Sequence, residues 1–250
     1  MIICVTGMHR SGTSLTASWL QACGLTLVHR EAVLPGSDNP KGFFEDREFV
    51  RFQADCLRLR YPRSAGWKVA PGQFLHFSQS EIETARQLIS IRQSSYPDWA
   101  WKDPRSTLFL PAWKALIPDL KVLLIWRPCE QVAQSLLQRW WRHRNRARFN
   151  SPTNAIRLWL AHNRLVCHYA EMDPRNTLVI TPHQLIQSDK AVLALINTRF
   201  NTNLNYVPIQ SLYDPELLHG QPGLPFLGWL STWMGSRTVE KQLQAVTAAL

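Results

Sequence analysis

No run of 18 or more apolar residues occurs in the 250-residue sequence, which excludes an apolar membrane-spanning helix. Cysteine is sparse. Cys4, Cys23, Cys56, Cys129 and Cys167 are odd in number, widely spaced and mostly set in apolar runs, so neither a disulfide framework nor a CxxC metal pair is expected. That usage reads as a reducing compartment. The chain opens on a core-like strand with no basic-then-apolar leader, so no signal peptide and a cytoplasmic location are expected. Internal repeats and low-complexity tracts are also lacking. Acidic residues are few: 18 Asp and Glu stand against 28 Lys and Arg, giving net charge +10 and a pI of about 9.8. Such a balance calls for an anionic ligand, an anionic surface or a nucleic acid, without choosing among them.

What is present alternates short β-rich runs with helix-period stretches. This pattern predicts one α/β domain, a P-loop-like parallel sheet with helices on both faces. Strands are expected at 2–6, 25–28, 100–101, 122–126 and 178–181. Helices are expected at 14–23, 45–57, 80–92, 111–117, 129–144, 153–171 and 189–200. The nearly all-apolar run Lys121-Val122-Leu123-Leu124-Ile125-Trp126 reads as a central strand buried on both faces. Segments 31–43 and 145–152 carry turn chemistry and read as active-site loops or lids.

Three motifs bear the chemistry. The first is Gly7-Met8-His9-Arg10-Ser11-Gly12-Thr13-Ser14 after the strand Ile2–Thr6. A glycine-rich turn opening a helix aims backbone N–H groups and the positive end of the helix dipole at one anion. The P-loop pattern places a lysine after its second glycine, and here Thr13 stands there instead, which argues against ATP or GTP hydrolysis. The loop's cation is Arg10, whose planar fork suits phosphate or sulfate oxygens.

The second motif is Trp101-Lys102-Asp103-Pro104-Arg105, at a strand end where the ligand crevice of a parallel sheet forms. Lys102 and Arg105 can face the same anion as Arg10, with Asp103 holding one of them; a solvated turn with a local ion pair is the plainer reading. The third runs from Trp126-Arg127-Pro128-Cys129 to Ser135, with Arg127 at a strand end and Ser135 two helical turns on. Two donors so placed can share one phosphate.

Together these residues resemble the PAPS-dependent sulfotransferase superfamily, in particular its bacterial branch with an R-S-G-T-S loop and a K-D-P-R motif. The segment Asp38-Asn39-Pro40-Lys41-Gly42-Phe43-Phe44-Glu45 and the helix from Ala155 to Arg164 add to the likeness, which spans roughly residues 1–200. The resemblance implies a single sulfotransferase-like domain over 1–250, with 205–250 as a C-terminal extension that carries no family signature. It implies that Arg10, Ser11, Gly12, Thr13 and Ser14 bind the 5′-phosphosulfate of PAPS (3′-phosphoadenosine 5′-phosphosulfate) and that Arg127 and Ser135 bind its 3′-phosphate. Lys102 matches the lysine that neutralises charge at the transferring sulfuryl group. No metal is called for.

Sulfuryl transfer, like phosphoryl transfer, depends on positioning and electrostatic stabilisation, so what remains is a base for the acceptor's proton. Pro104 occupies the place of the histidine used by many cytosolic relatives, so a carboxylate is expected, as in the tyrosylprotein and carbohydrate branches. Glu45 is the first choice and Glu31 the second; the plainer reading of Glu45 is a carboxylate at a helix N-terminus. His9 is expected to make a structural contact. The stretch Arg139–Phe149 mixes cations with aromatics and reads as a lid or acceptor rim, a solvated helix face, or a single-stranded nucleic-acid surface. The aromatic tract 224–234 suits core or dimer packing, and peripheral membrane contact as well. A hydroxyl or amine of a carbohydrate, lipid or small metabolite is the expected acceptor; a P-loop nucleotide kinase and a non-catalytic basic module are the competing readings.

Overall fold

The computed structural model describes residues 1–27, 44–64, 66–142, 151–212 and 224–250; of residues 140–142 it describes the backbone alone. Its frame is a four-stranded, all-parallel sheet in the order β2-β1-β3-β4, from β1 (Ile2–Gly7), β2 (Trp99–Lys102), β3 (Lys121–Ile125) and β4 (Thr177–Ile180). The chain leaves β1 toward one edge and returns past it to β3, so the order reverses between β1 and β3. In open α/β sheets the carboxyl ends of strands at such a reversal form the ligand crevice.

Strand alternation divides the interior into two cores. Ile2, Cys4, Trp99, Trp101, Val122, Leu124 and Val179 point to one face, and Ile3, Val5, Ala100, Leu123, Ile125, Leu178 and Ile180 to the other. The first face is covered by α2 (Arg47–Arg60), α3 (Gln79–Ser95), α5 (Cys129–Arg142) and α6 (Pro152–Met172), with α4 (Leu110–Leu116) beside them. Its centre is aromatic: Phe49 stacks on Trp113 with ring centroids 5.2 Å apart, and Trp99 and Trp101 pack around them. The second face is covered by α1 (Thr13–Ala22) and α8 (Asp189–Phe200), with the short α7 (Pro182–Gln187) leading into α8. Both faces being covered explains why β1 and β3 read as unbroken apolar runs.

The expected strand at 25–28 lies partly outside the described residues. Leu27 makes an isolated bridge to Ala100, on the β2 edge, and Ala100 N–H donates to Thr26 O at 2.8 Å; Val28 lies outside the described residues. Leu25 and Leu27 are buried on the second core, and the pairing described for them is that one parallel bridge. Besides the short α7, two further helices escaped the periodicity reading, α9 (Pro225–Trp233) and α10 (Ser236–Val246). They bury Leu227, Val239 and Leu243 in the first core, against α5 and α6.

Candidate active site

Three loops meet at the carboxyl ends of β1, β2 and β3. The first is shaped by backbone demands. Gly7 has φ +144° and a Cβ there would lie 2.0 Å from Ile125 O, so the end of β1 is pressed onto β3. Gly12 has φ +91° and a Cβ there would lie 2.6 Å from Pro182 Cγ. Between them Arg10 adopts φ +70°, a left-handed conformation that costs a non-glycine residue about 1 kcal/mol or more. Gly12 is the N-cap of α1 and offers no side-chain cap, and the first turn holds no acidic residue. The first-turn N–H groups of any helix have no intrahelical partner, so this terminus is suited to an anion. Within the loop Ser11 is buried and its Oγ has no partner among the described residues.

The loop is tied to the turn after β2. Thr6 Oγ1 donates to Asp103 O at 2.8 Å and lies 2.9 Å from Thr107 Oγ1. Asp103 is wholly buried and caps the following 3-10 turn; its carboxylate accepts from Arg105 N–H and Nη1, both at 2.9 Å, and from Gln53 Nε2 at 2.7 Å. Burial raises its pKa, the charge of Arg105 opposes that rise, and the carboxylate of Glu45 adds to it. Of the two cations in this motif Asp103 holds Arg105, as one of the expected arrangements had it, and Gly66 O accepts from Arg105 Nε at 3.0 Å. Gln53 and Trp113, whose Nε1 donates to Gln53 Oε1 at 3.0 Å, complete the support; neither lies in a recognisable motif.

Lys102 is 1% exposed, and its Nζ donates to Glu45 Oε1 at 2.7 Å. A buried ammonium requires such a partner. The sequence placed Glu45 inside a helix, but α2 begins at Arg47 and Asp46 is its cap, accepting from the N–H groups of Glu48 at 2.9 Å and Phe49 at 3.4 Å. Asp46 therefore fills the helix-terminal role, which leaves Glu45 to Lys102. Asp46 is in turn anchored by Arg92 of α3, whose Nε donates to it at 2.7 Å. Glu31 lies outside the described residues.

On the β3 side Ser135 accepts from Arg10 Nε at 2.8 Å, so the loop arginine and the α5 serine meet directly. Arg127 Nε donates to Gln131 Oε1 at 2.7 Å, one turn into the same helix, and Arg127 O accepts from Trp159 Nε1 at 2.9 Å. The N-terminus of α5 carries an unforeseen support: Cys129 N–H donates to Glu240 of α10 at 2.8 Å. His9 packs edge-on against Trp67, with centroids 5.2 Å apart. Its pKa is held well below the usual histidine value by burial first and then by the charges of Arg105, His162, Arg139 and Lys102, so the ring is neutral. Among the described residues no cluster of His, Cys, Asp or Glu has the arrangement of a metal site, and no helix is long and apolar enough to cross a membrane.

Known proteins share this frame. The chain is similar in structure to the sulfotransferase domain from the curacin biosynthetic pathway, with 15% identity, 98% of this chain and 97% of that chain covered, and a TM-score of 0.57. It is likewise similar to the sulfotransferase domain of the Synechococcus PCC 7002 olefin synthase, with 15% identity, coverage of 100% and 95%, and a TM-score of 0.52. A Mycobacterium avium sulfotransferase matches with 15% identity over 89% of this chain and 68% of its own, at a TM-score of 0.54. No curated protein matches in sequence. At that identity the structures speak for the fold alone. A sequence model of the sulfotransferase family, however, matches residues 3–205, most of the chain, and the chain belongs to that family.

Proposed function

We propose that the chain transfers a sulfuryl group from PAPS to a hydroxyl, or an amine, of a small-molecule or carbohydrate acceptor, with Glu45 as the base. The observation that carries this reading is the buried Lys102–Glu45 pair, 2.7 Å apart, beside a phosphate-type loop with threonine in place of lysine. The residues present suit the donor: Ser11 Oγ is a buried hydroxyl with no partner among the described residues, and at Gly12 a positive φ and the Pro182 ring leave no room for a side chain. When bound, PAPS supplies an activated sulfuryl group whose S–O bond to the 5′-phosphate breaks as the acceptor oxygen bonds to sulfur, releasing adenosine 3′,5′-bisphosphate.

Arg10 and the N–H groups at the start of α1 hold the 5′-phosphosulfate, and Arg127 and Ser135 hold the 3′-phosphate. Lys102 swings its ammonium toward the sulfuryl oxygens and stabilises the charge that develops on the leaving oxygen. That movement releases Glu45 Oε1 to accept the proton of the attacking hydroxyl. Ser135, bonded to Arg10 in the free protein, couples the two ends of the donor site. Thr13 in the lysine position disfavours a kinase reading.

Calorimetric titration tests this. Adenosine 3′,5′-bisphosphate is expected to bind with micromolar affinity, well ahead of ATP and ADP. Arg127→Ala and Ser135→Ala are each expected to weaken it by about tenfold or more, as for loss of one charge-assisted hydrogen bond. No preference for the 3′-phosphate would sink the donor assignment.

A further inference from the structure

A second group of side chains, to which no role has yet been given, converges beside the loop. Trp67, in the turn after α2, is the meeting point. His9 meets its indole edge-on, Lys68 Nζ lies 5.0 Å from the ring centroid, and Arg139 Cζ lies 5.5 Å from it. The three come from three different parts of the chain. The turn that carries Trp67 is firmly built: Gly66 N–H donates to Ser64 Oγ at 3.1 Å, and at φ +80° a Cβ on Gly66 would lie 2.9 Å from Ala54 Cβ. Arg105 Nε fastens Gly66 O to the Lys102-Asp103-Pro104-Arg105 motif.

Arg139 sits one helical turn beyond Ser135, so both are on one face of α5. Ser135 reaches Arg10, while Arg139 reaches Trp67. One helix face thus serves both the anion loop and the indole. His9 joins them: it precedes Arg10 in the loop, and its Nε2 is buried with no partner among the described residues. It is near enough to both Lys102 and Arg139 for each charge to depress its pKa. A buried ring nitrogen with no partner among the described residues is an acceptor that an incoming hydroxyl would satisfy. Two cations gathered on one indole also raise the local positive potential, which favours an anion there.

We propose that His9, Trp67, Lys68 and Arg139 form the acceptor subsite, and that it takes a soluble small acceptor bearing both a hydroxyl and an anionic group such as a carboxylate or sulfate ester. This rests on the sulfotransferase reading above. Lys68 and Arg139 hold the anion, Trp67 fixes the two cations by their contact with its ring, and neutral His9 accepts a hydrogen bond from the hydroxyl through Nε2. The hydroxyl is thereby oriented next to Lys102 and Glu45, which takes its proton.

The probes are 4-nitrophenyl β-D-glucuronide and 4-nitrophenyl β-D-glucoside, which differ in carrying a carboxylate or a hydroxymethyl group at one position. Each is titrated into the full chain saturated with adenosine 3′,5′-bisphosphate. The glucuronide is expected to bind about tenfold more tightly, as for one charge-assisted contact. Arg139→Gln and Lys68→Gln are expected to bring the two probes close to parity, while Arg139→Lys keeps part of the preference. Bisphosphate affinity, unchanged in these variants, reports that they are folded. Equal binding, binding of neither probe, or a preference that survives both glutamine substitutions overturns the subsite. Failure of the bisphosphate to bind the unaltered chain overturns the donor reading instead, and the subsite with it.

Discussion

Lys102 carries its charge into a nearly sealed position, where the carboxylate of Glu45 compensates it from 2.7 Å away. Cutting one partner from a buried pair leaves the other uncompensated, at a cost of about 3–5 kcal/mol. Glu45→Gln keeps a hydrogen-bond acceptor for Lys102 but removes the base. It is expected to lower kcat by about 10²-fold or more, with a smaller loss of stability; parallel steady-state kinetics and urea unfolding separate the two. A fall in stability with kcat intact would assign Glu45 a purely structural part.

His162, buried on α6, bears on pH. Its Nδ1 lies 2.9 Å from Leu158 O and therefore donates to it, and burial pulls its pKa down to about 4, with the Leu158 bond opposing. The folded-state pKa is below the unfolded value of 6.5, so in this window the unfolded chain binds the extra proton. The contribution is fully present above about pH 6.5 and is lost as pH falls toward 4. His9 acts in the same direction. Glu81, lowered to about 2 first by its bond from Arg60, titrates in a more acid window. Urea unfolding is thus expected to show lower stability at pH 5 than at pH 7, and a smaller difference in His162→Phe; an unaltered difference would remove His162 from the account.

At the level of elements, the position of Glu45 depends on a join between two helices. Asp46 caps α2 and accepts from Arg92 of α3, which also pairs with Glu48. Both members of the Arg92–Asp46 pair are almost completely buried. Arg92→Ala is expected to destabilise the protein by about 3–5 kcal/mol in denaturant unfolding. Because the residue before Asp46 is Glu45, the same substitution is expected to reduce kcat more than it weakens bisphosphate binding. Equal effects on both would mean that the join supports the fold without aiming Glu45. Helix α5 is supported in a comparable way, its N-terminal Cys129 N–H bonded to Glu240.

Across the whole molecule, the C-terminal residues are stitched to β4, to α7 and to the end of β3. Ala248 N–H donates to Val179 O at 2.9 Å, Gln184 Nε2 to Ala248 O at 2.8 Å, and Trp126 Nε1 to Thr247 Oγ1 at 2.8 Å. Val239 and Leu243 lie in the first core. Deleting residues 236–250 uncovers that core and leaves these groups unpaired. A fall in Tm of at least several degrees and loss of bisphosphate binding are expected, to be read by thermal unfolding and calorimetry. A truncated chain that binds the bisphosphate normally would show the segment to be dispensable for the site.

Strand–helix alternation, the two-sided burial of β3, and the loop from Gly7 to Ser14 were legible in the sequence because periodicity and glycine placement are local properties of the chain. Lys102, Arg10 and Ser135 could be singled out for the same reason, each standing in a contiguous motif. Partnership was not legible. That Arg10 meets Ser135, that Gly66 O receives Arg105, and that Glu45 pairs with Lys102 depend on residues far apart in the chain. The helices at 225–233 and 236–246 carry no family signature, and they acquired a role through the core they cover. Trp67 stood in the sequence only as one aromatic of the variable loop 61–77, and it acquires a specific meaning when His9, Lys68 and Arg139 close around it. Local steric and periodic rules thus determined the elements and the reactive motifs. Which charges are paired, and which remain available to a ligand, was decided by desolvation and long-range contact, which exist only once the chain has folded.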